Sequence, residues 1–430
     1  MTITAALTRG TYATLLRLAT PLYLARLWWR GRREPMYRSH LGQRLGLASA
    51  GAPTGRVWIH AVSLGETLAA AALIDAMREQ APGLRLLLTH STATGREAGV
   101  ALLRDGDAQA WLPYDTPGAV RRFLRAHKPR IGVLMETETW PVLLHEAHAL
   151  GVPMVLANAR LSERSLGKGR TLGSLLRPAV ASFAAVLAQT DLDAARFREI
   201  GALSTKVMGN VKFDLTPDAA LLALGRRWRI ALARAVVLAA VTREGEEALL
   251  LTAWCELPEP RPLLVIVPRH PQRFDEVAAL VLAAGLSLQR RSMLGDAIAL
   301  DTAAAAADVW LGDSMREMAL YYGMADAALL GGSFAPLGGQ NLIEAAACAC
   351  PLVMGPHTFN FALAAELAIE AGAAIRVADL AQAVPRAAGL ALAPDREAWA
   401  LRAERFAAAH RGAAARMAAE VLRVAALRQA

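Results

Sequence analysis

Short runs rich in Val, Ile and Leu alternate along most of the chain with longer stretches of helical periodicity. This alternation is typical of βαβ units and predicts a parallel sheet covered by helices. From residue 56 onward the runs fall into two series. The predicted strands are Val57–Val62, Leu84–Thr89, Ile131–Glu136, Met154–Ala157 and Ala185–Gln189 in the first series, and Val236–Ala240, Leu263–Val267, Val309–Leu311, Ala327–Gly331 and Leu352–Met354 in the second.

The region between the two series indicates a domain junction. Gly209 to Arg229 shows no strand pattern, contains Pro217 and passes through a charged helical stretch. We therefore predict a helical segment over 1–31, a first Rossmann-like domain over 32–209 and a second over 210–430, whose last helix is able to pack back on the first domain. The fold class is α/β, with two doubly wound domains facing a cleft, and ligands are expected at the carboxyl ends of the strands.

The N-terminal segment is apolar but interrupted. Tyr12 to Trp29 is dominated by Leu, Ala, Tyr and Trp, yet it contains Arg17 and Arg26, and Pro21 lies in its middle. A spanning helix needs about 20 apolar residues, and each arginine at the bilayer centre would cost on the order of 2.5 to 3.5 kcal/mol. We therefore expect a helix that lies in the membrane interface. The alternative is an ordinary amphipathic helix packed on the protein.

A basic collar follows this segment, after a Trp28-Trp29 pair at the position of an interfacial aromatic belt. The collar consists of Arg30, Arg32, Arg33, Arg38 and Arg44. It favours an anionic cytoplasmic membrane surface. The formal net charge of +9 also indicates an acidic partner, which by charge alone is nucleic acid, anionic lipid or a phosphorylated substrate. The mean hydropathy of +0.29 is high for a soluble enzyme and agrees with contact to lipid.

Neither a metal site nor a disulfide framework is indicated. The three cysteines, Cys255, Cys348 and Cys350, show no spacing with histidines that is typical of zinc ligands. We interpret the Asp-x-Asp pairs at 105–107 and 191–193 as turns or a helix start rather than as metal ligands. The sequence therefore predicts no metal and no cofactor.

The first candidate for chemistry is Glu66. The stretch H-A-V-S-L-G-E-T, His60 to Thr67, converts a strand into a helix and places Glu66 near the helix N-terminus. A sugar hydroxyl has a very high pKa and must lose its proton as it attacks, so Glu66 is a candidate general base. Helix capping explains the position equally well, because acidic residues are favoured in a first helical turn.

A second group of polar residues follows other strand ends of the first domain. In M-E-T-E-T-W-P, Glu136 and Glu138 are able to stabilise an oxocarbenium-like centre, although solvated loop acids have the same pattern. Asn158 to Ser162 adds polar donors to the same rim. Lys212, in G-N-V-K-F-D, could reach an anionic donor from the junction or could be a solvated surface lysine.

Two features of the second domain indicate a nucleotide site. Pro268-Arg269-His270-Pro271 ends an apolar strand and presents Arg269 as a fork for phosphate. The sequence predicts a strand end, a glycine-rich loop and a helix start over Gly331 to Ser333 and Gly338 to Ala346. The backbone N–H groups of such a loop and helix start favour phosphate. Glu344, three residues after Asn341, could accept hydrogen bonds from ribose hydroxyls. The sequence has no Walker loop, dinucleotide fingerprint or nucleophile elbow.

Taken in this order, the motifs resemble the 3-deoxy-D-manno-octulosonic acid (Kdo) transferase family over nearly the whole chain. The further motifs that carry the resemblance are the Trp/Arg-rich start, Tyr37-Arg38, L-P-Y-D from Leu112, A-N-A-R-L-S, E-G-E-E from Glu244, V-P-R-H-P, G-D-S-M-R-E-M, G-G-Q-N-L-I-E-A-A and M-G-P-H-T-F-N-F.

The resemblance implies a GT-B glycosyltransferase that inverts the anomeric centre without a metal, on the cytoplasmic face of the inner membrane. It implies transfer of Kdo from CMP-Kdo, bound by 210–430, to a lipid A precursor, bound by 32–209, with no nucleic acid partner. By this resemblance Glu66 is the general base, and Glu136 and Lys212 stabilise the transition state. The residues implied to hold CMP are Pro268, Arg269, Met315, Arg316, Glu317, Asn341, Leu342, Ile343 and Glu344.

The chain departs from the family pattern at two places. Val241-Thr242-Arg243 stands where Ser-Thr-His is common, and Gln340 replaces a common His, which bears on the shape of the donor pocket. Two other functions are compatible with the residues. A sugar-nucleotide epimerase of the same two-lobed fold would need no membrane segment, and a noncatalytic membrane-associated scaffold would tolerate Glu66→Gln.

Overall fold

The protein divides into two compact units. The computed structural model describes residues 3–48, 52–295 and 302–427. The first unit comprises 1–214 and 411–430, and the second comprises 215–410. Each unit contains one parallel sheet.

The first sheet has the strand order β3-β2-β1-β4-β5-β6-β7, and all its pairings are parallel. Its strands are β1 (Val57–His60), β2 (Leu86–His90), β3 (Ala108–Trp111), β4 (Ile131–Met135), β5 (Met154–Ala159), β6 (Ala185–Ala188) and β7 (Thr205–Val207). The central strands are buried along their whole length, which explains their continuous apolar runs. Trp58 and Leu134 face one hydrophobic cluster, and their neighbours Ile59 and Val133 face another.

Helices connect these strands and cover both faces of the first sheet. They are α1 (Ile3–Arg30), α2 (Leu41–Arg44), α3 (Leu64–Gln80), α4 (Ala93–Val100), α5 (Pro117–His127), α6 (Pro141–Ala149), α7 (Glu163–Thr171), α8 (Gly173–Ala181) and α9 (Asp191–Glu199). Asp193 lies in the first turn of α9, where it accepts a hydrogen bond from the N-cap Thr190 Oγ1 at 2.6 Å. This agrees with the interpretation of 191–193 as a helix start.

The second sheet repeats the architecture with the order β10-β11-β9-β8-β12-β13-β14. Its strands are β8 (Val236–Thr242), β9 (Leu263–Pro268), β10 (Leu288–Arg290), β11 (Val309–Leu311), β12 (Ala327–Leu330), β13 (Leu352–Met354) and β14 (Ala374–Arg376). Its helices are α10 (Ala219–Leu232), α11 (Glu246–Cys255), α12 (Phe274–Ala283), α13 (Thr302–Ala306), α14 (Met318–Met324), α15 (Leu342–Ala347), α16 (Ala362–Glu370), α17 (Leu380–Leu392) and α18 (Arg396–Ala409).

The last helix, α19 (Ala413–Ala426), belongs to the first unit. Asp214 accepts backbone hydrogen bonds from Gly412 and from Ala414, the latter at 2.6 Å. Lys206 Nζ of β7 lies 2.8 Å from Glu420 Oε2. The sequence placed the junction between 209 and 210 and ended the second domain at 430, with a last helix able to pack back on the first domain, which is the packing that α19 has. The units instead divide after Asp214 and again before residue 411, because these contacts join both flanking segments to the first sheet.

One face of α1 packs on the first unit. Ala5 and Ala13 are buried, and the rings of Tyr23 and Tyr114 stack with their centroids 5.8 Å apart. Asp115 accepts a hydrogen bond from the Tyr12 hydroxyl. Among the residues that the structure describes, no helix combines the length and the apolarity that crossing a bilayer requires.

Candidate active site

The strand order of the first sheet reverses between β1 and β4. β1 pairs with β2 on one side and with β4 on the other, so the loops after β1 and β4 diverge at their carboxyl ends. Ligands of open parallel sheets bind at such a topological switch point. Glu66 follows β1 and Glu136 follows β4. The predicted acids of the first unit therefore flank this point.

Glu66 lies in the first turn of α3, and its carboxylate is held in place. Ser63 is the N-cap, and its Oγ accepts a hydrogen bond from Glu66 N at 3.5 Å. Glu66 Oε2 accepts one from Val62 N at 2.8 Å. Ser63 Oγ also lies 3.3 Å from Glu66 Oε1, so the first-turn acid interacts with its N-cap and with the residue before it, a variant of the capping box that stabilises the start of the helix. Burial, and then the charge of Glu136, raises the pKa of Glu66, which makes the carboxylate a better proton acceptor.

The carboxylate of Glu136 is buried between two cations. Its side chain is only 6% exposed, Oε2 accepts a hydrogen bond from Arg160 Nε at 2.9 Å, and Oε1 lies 3.0 Å from Lys212 Nζ. Glu136 also has a φ of +57°, a left-handed conformation that is uncommon for residues other than glycine. Such strain concentrates at functional sites. The structure thus brings together Glu136 and Lys212, which the sequence assigned to separate motifs.

A buried amide positions Lys212. Asn158, at the end of β5, is fully buried, and its Oδ1 accepts a hydrogen bond from Val211 N at 3.2 Å. Val211 begins the 3-10 turn Val211–Asp214 that carries Lys212. Leaving such an oxygen unsatisfied would cost about 1–3 kcal/mol. The sequence indicated this segment as a source of donors, whereas the Asn158 side chain acts here as an acceptor that fixes the turn.

Glu138 is the third carboxyl group of this cluster. Its Oε2 accepts a hydrogen bond from Trp140 Nε1 at 2.7 Å. Burial first, and then the charge of Glu66, raises the pKa of Glu138 to about 7, and the charge of Glu136 adds to this effect. Glu138 therefore takes up or releases a proton near neutral pH. Across the described ranges, no group of three or more His, Cys, Asp or Glu side chains is arranged to hold a metal ion.

The second sheet has its own topological switch point, between β8 and β12. Both carboxylate oxygens of Glu246, in the first turn of α11, accept a hydrogen bond from Gly332 N at 2.9 Å. Gly332, in the loop after β12, has a φ of +68°, which glycine adopts without strain. Glu246 also accepts a hydrogen bond from Arg243 N at 2.9 Å. In the sequence analysis Glu246 appeared only as part of the motif E-G-E-E from Glu244. The signal that could have indicated its role was its position in the first turn of a helix.

The corner after β9 presents Arg269 at the same edge of the second sheet. Pro268 is the buried last residue of β9, and Arg269 N donates a hydrogen bond to Thr242 O at 2.9 Å. The side chain of Arg269 is exposed. Because its backbone is fixed and its guanidinium is accessible, Arg269 is placed to bind a phosphate group.

The loop after β11 carries Met315, Arg316 and Glu317 to the start of α14. Met315 is exposed, and Arg316 has a φ of +66°. Glu317 Oε1 lies 2.9 Å from Arg291 Nη2, and Glu317 Oε2 accepts a hydrogen bond from Ser314 Oγ. The sequence did not indicate Arg291, which lies in a segment without a recognisable motif.

The helix α15 begins where the sequence placed it. Asn341 is its N-cap and accepts a hydrogen bond from Ile343 N at 3.2 Å. Leu342 and Ile343 are fully buried, so only their backbone groups are available to a ligand. Burial raises the pKa of Glu344 in the first turn. Arg269, Glu317 and Asn341 thus all follow strands of the second sheet at its carboxyl edge.

Comparison with known proteins identifies the family. A family model described as 3-Deoxy-D-manno-octulosonic-acid transferase (kdotransferase) matches residues 39–215. The chain is 48% identical over 423 residues to the 3-deoxy-D-manno-octulosonic acid transferase of Bordetella pertussis, covering 95% of this chain and 97% of that protein. The chain belongs to the 3-deoxy-D-manno-octulosonic acid (Kdo) transferase family.

Other relatives agree with this assignment. The 3-deoxy-D-manno-octulosonic acid transferase of Haemophilus influenzae is 34% identical, with 87% of this chain and 88% of that protein covered. The resemblance inferred from the motifs is therefore confirmed, and the chain is a Kdo transferase of lipopolysaccharide biosynthesis. Family membership decides against the epimerase and the scaffold.

Solved structures of other proteins share the fold. Anabaena Alr3699/HepE in complex with UDP aligns with a TM-score of 0.56 and 15% identity, covering 86% of this chain and all of that chain. UDP-GlcNAc 2-epimerase from Neisseria meningitidis aligns with a TM-score of 0.56 and 15% identity, covering 85% and 99%. At this identity the likeness shows the fold alone, which consists of two parallel-sheet α/β domains of the GT-B type.

Proposed function

We propose that this Kdo transferase moves Kdo from CMP-Kdo to a hydroxyl of the lipid A precursor, with inversion at the anomeric carbon. The observation that carries the proposal is Glu66. Its carboxylate is fixed by Val62 N, lies at the switch point of the first sheet and has a raised pKa. A base in this state accepts the proton that the acceptor hydroxyl releases as its oxygen attacks.

Glu136 and Lys212 have a supporting role in this proposal. Positive charge accumulates on the anomeric carbon while the CMP phosphate departs with negative charge. Glu136 is buried with two cations, Arg160 and Lys212, so the group already contains both signs of charge in fixed positions. Fixed charges of this kind stabilise a transition state without the cost of reorganising solvent.

The second unit supplies the residues for the donor. CMP leaves as a phosphate monoester, and the exposed Arg269 offers a fork of donors for such a group. The backbone at Leu342 and Ile343 and the carboxyl group of Glu344 supply further contacts at the start of α15. Met315, Arg316 and Glu317 complete the proposed CMP site. This assignment uses no metal ion and no cofactor.

We also propose that α1 attaches the enzyme to the cytoplasmic face of the inner membrane by lying in the interface. Leu7, Leu18, Leu22 and Trp29 are 66%, 72%, 74% and 68% exposed. At about 100° per residue these four side chains lie within a sector of about 60°, opposite the face that packs on the protein. Arg17 and Arg26 lie on either side of this sector, where their stems follow the apolar surface while their charged ends reach phosphate headgroups.

The test is transfer by purified protein from CMP-Kdo to the tetra-acylated lipid A precursor, followed by mass spectrometry of the lipid. We expect the wild type to add Kdo and Glu66→Gln to lose at least about a hundredfold in kcat while keeping its melting temperature. Glu79→Gln is the matched control, because Glu79 is an exposed acid of the same helix α3. Equal activity of Glu66→Gln and Glu79→Gln would remove Glu66 from the mechanism.

A further inference from the structure

Two buried arginines of the first unit pack on one tryptophan. Arg44 at the end of α2 is 5% exposed, so the prediction that it belongs to the basic collar is wrong, because its side chain packs inside the first unit. Arg96 in α4 is 8% exposed, while Trp111 of β3 is fully buried. The guanidinium carbons lie 4.1 Å and 4.7 Å from the centroid of the Trp111 ring. Both side chains therefore make cation–π contacts with the Trp111 ring.

Neither guanidinium has an acidic partner. In the described parts of the chain no carboxylate lies within ion-pair distance of Arg44 or Arg96. Arg44 Nη2 donates to Ser91 O at 3.0 Å, Arg96 Nη1 donates to Gln43 Oε1 at 3.4 Å, and the buried Arg44 Nε has no hydrogen-bond partner. Burial lowers the pKa of Arg44 to about 10 and also lowers that of Arg96, and Arg96 repels the charge of Arg44.

The other titratable groups around the pair do not neutralise it. His60 on β1 feels the charge of Arg44, and His90 on β2 feels that of Arg96; burial lowers their pKa values to about 3 and about 4, so both are neutral at pH 7. Tyr37 and Tyr114 face Arg44, and burial raises the pKa of the Tyr114 phenol above its ordinary value. Two like charges are thus buried together without a counter-charge, which is costly unless an anion completes the site.

The pair lies close to Glu66. Ser91, which accepts the hydrogen bond from Arg44, donates its N–H to Val62 O at 3.2 Å, and Val62 N donates to Glu66 Oε2. Ser91 also directly precedes Thr92, the N-cap of α4, whose helix dipole favours an anion. The two arginines and the carboxylate of Glu66 therefore lie near the carboxyl ends of the adjacent strands β1 and β2.

We propose that Arg44 and Arg96 form a binding site for a phosphate monoester, and that the phosphate belongs to the sugar acceptor. The inference rests on the proposed function, since it names the part of the acceptor that this side of Glu66 recognises. A phosphorylated disaccharide bound here through its phosphate would be held in a fixed position relative to Glu66. The same chemistry on a phospholipid headgroup is the competing source.

Steady-state kinetics test the source of the phosphate. Arg96→Met and Arg44→Lys are compared with Arg402→Met, which removes an arginine 4.2 Å from the ring of Trp399 in the second unit. Against the bisphosphorylated acceptor we expect the first two variants to raise KM by on the order of tenfold, with the KM for CMP-Kdo unchanged. The same variants are then assayed with acceptor from which phosphatase has removed one phosphate, and with acceptor from which it has removed both. The difference in KM between variant and wild type should disappear once the phosphate that the site binds has been removed. A loss of equal size for every acceptor would overturn the proposal.

A binding assay without turnover separates this site from the proposed function. Calorimetric titration with the deacylated glucosamine disaccharide bisphosphate should show binding to the wild type and to Arg402→Met, and binding at least about tenfold weaker to Arg96→Met. Binding to phosphatidylglycerol vesicles is measured in parallel. If Arg96→Met weakens vesicle binding as much as disaccharide binding, the site is reassigned to phospholipid headgroups. Unchanged disaccharide binding in correctly folded Arg96→Met would refute the site even if Kdo transfer is observed.

Discussion

A glycine in α10 allows the helix that carries part of the proposed CMP site to pack closely. A Cβ atom at Gly225 would lie 2.1 Å from Leu320 O and 3.1 Å from Met324 N of α14. Because the obstacle is backbone, an alanine can be accepted only if the two helices separate by about 1 Å. The start of α14 would move with them, and Glu317 lies directly before it.

Gly225→Ala should therefore destabilise the second unit. Overpacking of this kind costs about 1–3 kcal/mol, and a backbone obstacle favours the upper end. The better helix propensity of alanine returns about 1 kcal/mol, which leaves a net loss of about 2 kcal/mol. For a unit of this size that loss corresponds to a fall in melting temperature of about 4–8 °C.

The matched control is Gly389→Ala in α17, where a Cβ atom would meet nothing within 4 Å. There the substitution should raise the melting temperature slightly, because only the propensity gain of up to about 1 kcal/mol applies. Scanning calorimetry of the full chain measures both variants, and titration with CMP reports whether Glu317 has moved. If Gly225→Ala melts at or above the temperature of Gly389→Ala, the close helix contact is refuted.

Two further predictions concern the first unit. Glu66→Gln removes the like charge beside Glu138, so the pKa of Glu138 should fall below about 7. Carbon NMR of labelled glutamate carboxyl groups measures this pKa, and the Glu138→Gln variant assigns the signal. An unchanged pKa of Glu138 would contradict the coupling between the two carboxyl groups. Replacing Leu18 and Leu22 together by Glu should abolish flotation with phosphatidylglycerol vesicles, because the apolar face of α1 would then carry two charges. Leu249 of α11 is also exposed, at 63%, and Leu249→Glu should float like the wild type.

The central strands of both sheets could be predicted from the sequence because they are buried on both sides. Ile131–Met135 and Leu263–Pro268 are wholly buried, so their apolar runs are unbroken. The four strands that were not predicted, β3, β7, β10 and β14, all lie at sheet edges. Thr205–Val207 and Leu288–Arg290 are three residues long and contain no fully buried position, so burial imposed no apolar pattern on them.

The residues of the candidate site were predictable only where they follow a strand directly. Glu66 and Glu136 could be placed because the chain order puts each at a carboxyl end. The ion pair of Glu136 with Lys212 depends on Asn158 holding Val211, a contact between segments that no local pattern records. The stacking of Arg44 and Arg96 on Trp111 joins three separate elements and could not be predicted for the same reason.

The return of α19 to the first sheet means that residues 215–410 are an insertion within the unit that carries Glu66. During synthesis the inserted unit is complete, and free to fold, before the ribosome has made α19 of the unit that surrounds it in sequence. A premature stop near residue 410 would thus leave 215–410 intact and remove α19 from the unit that contains Glu66.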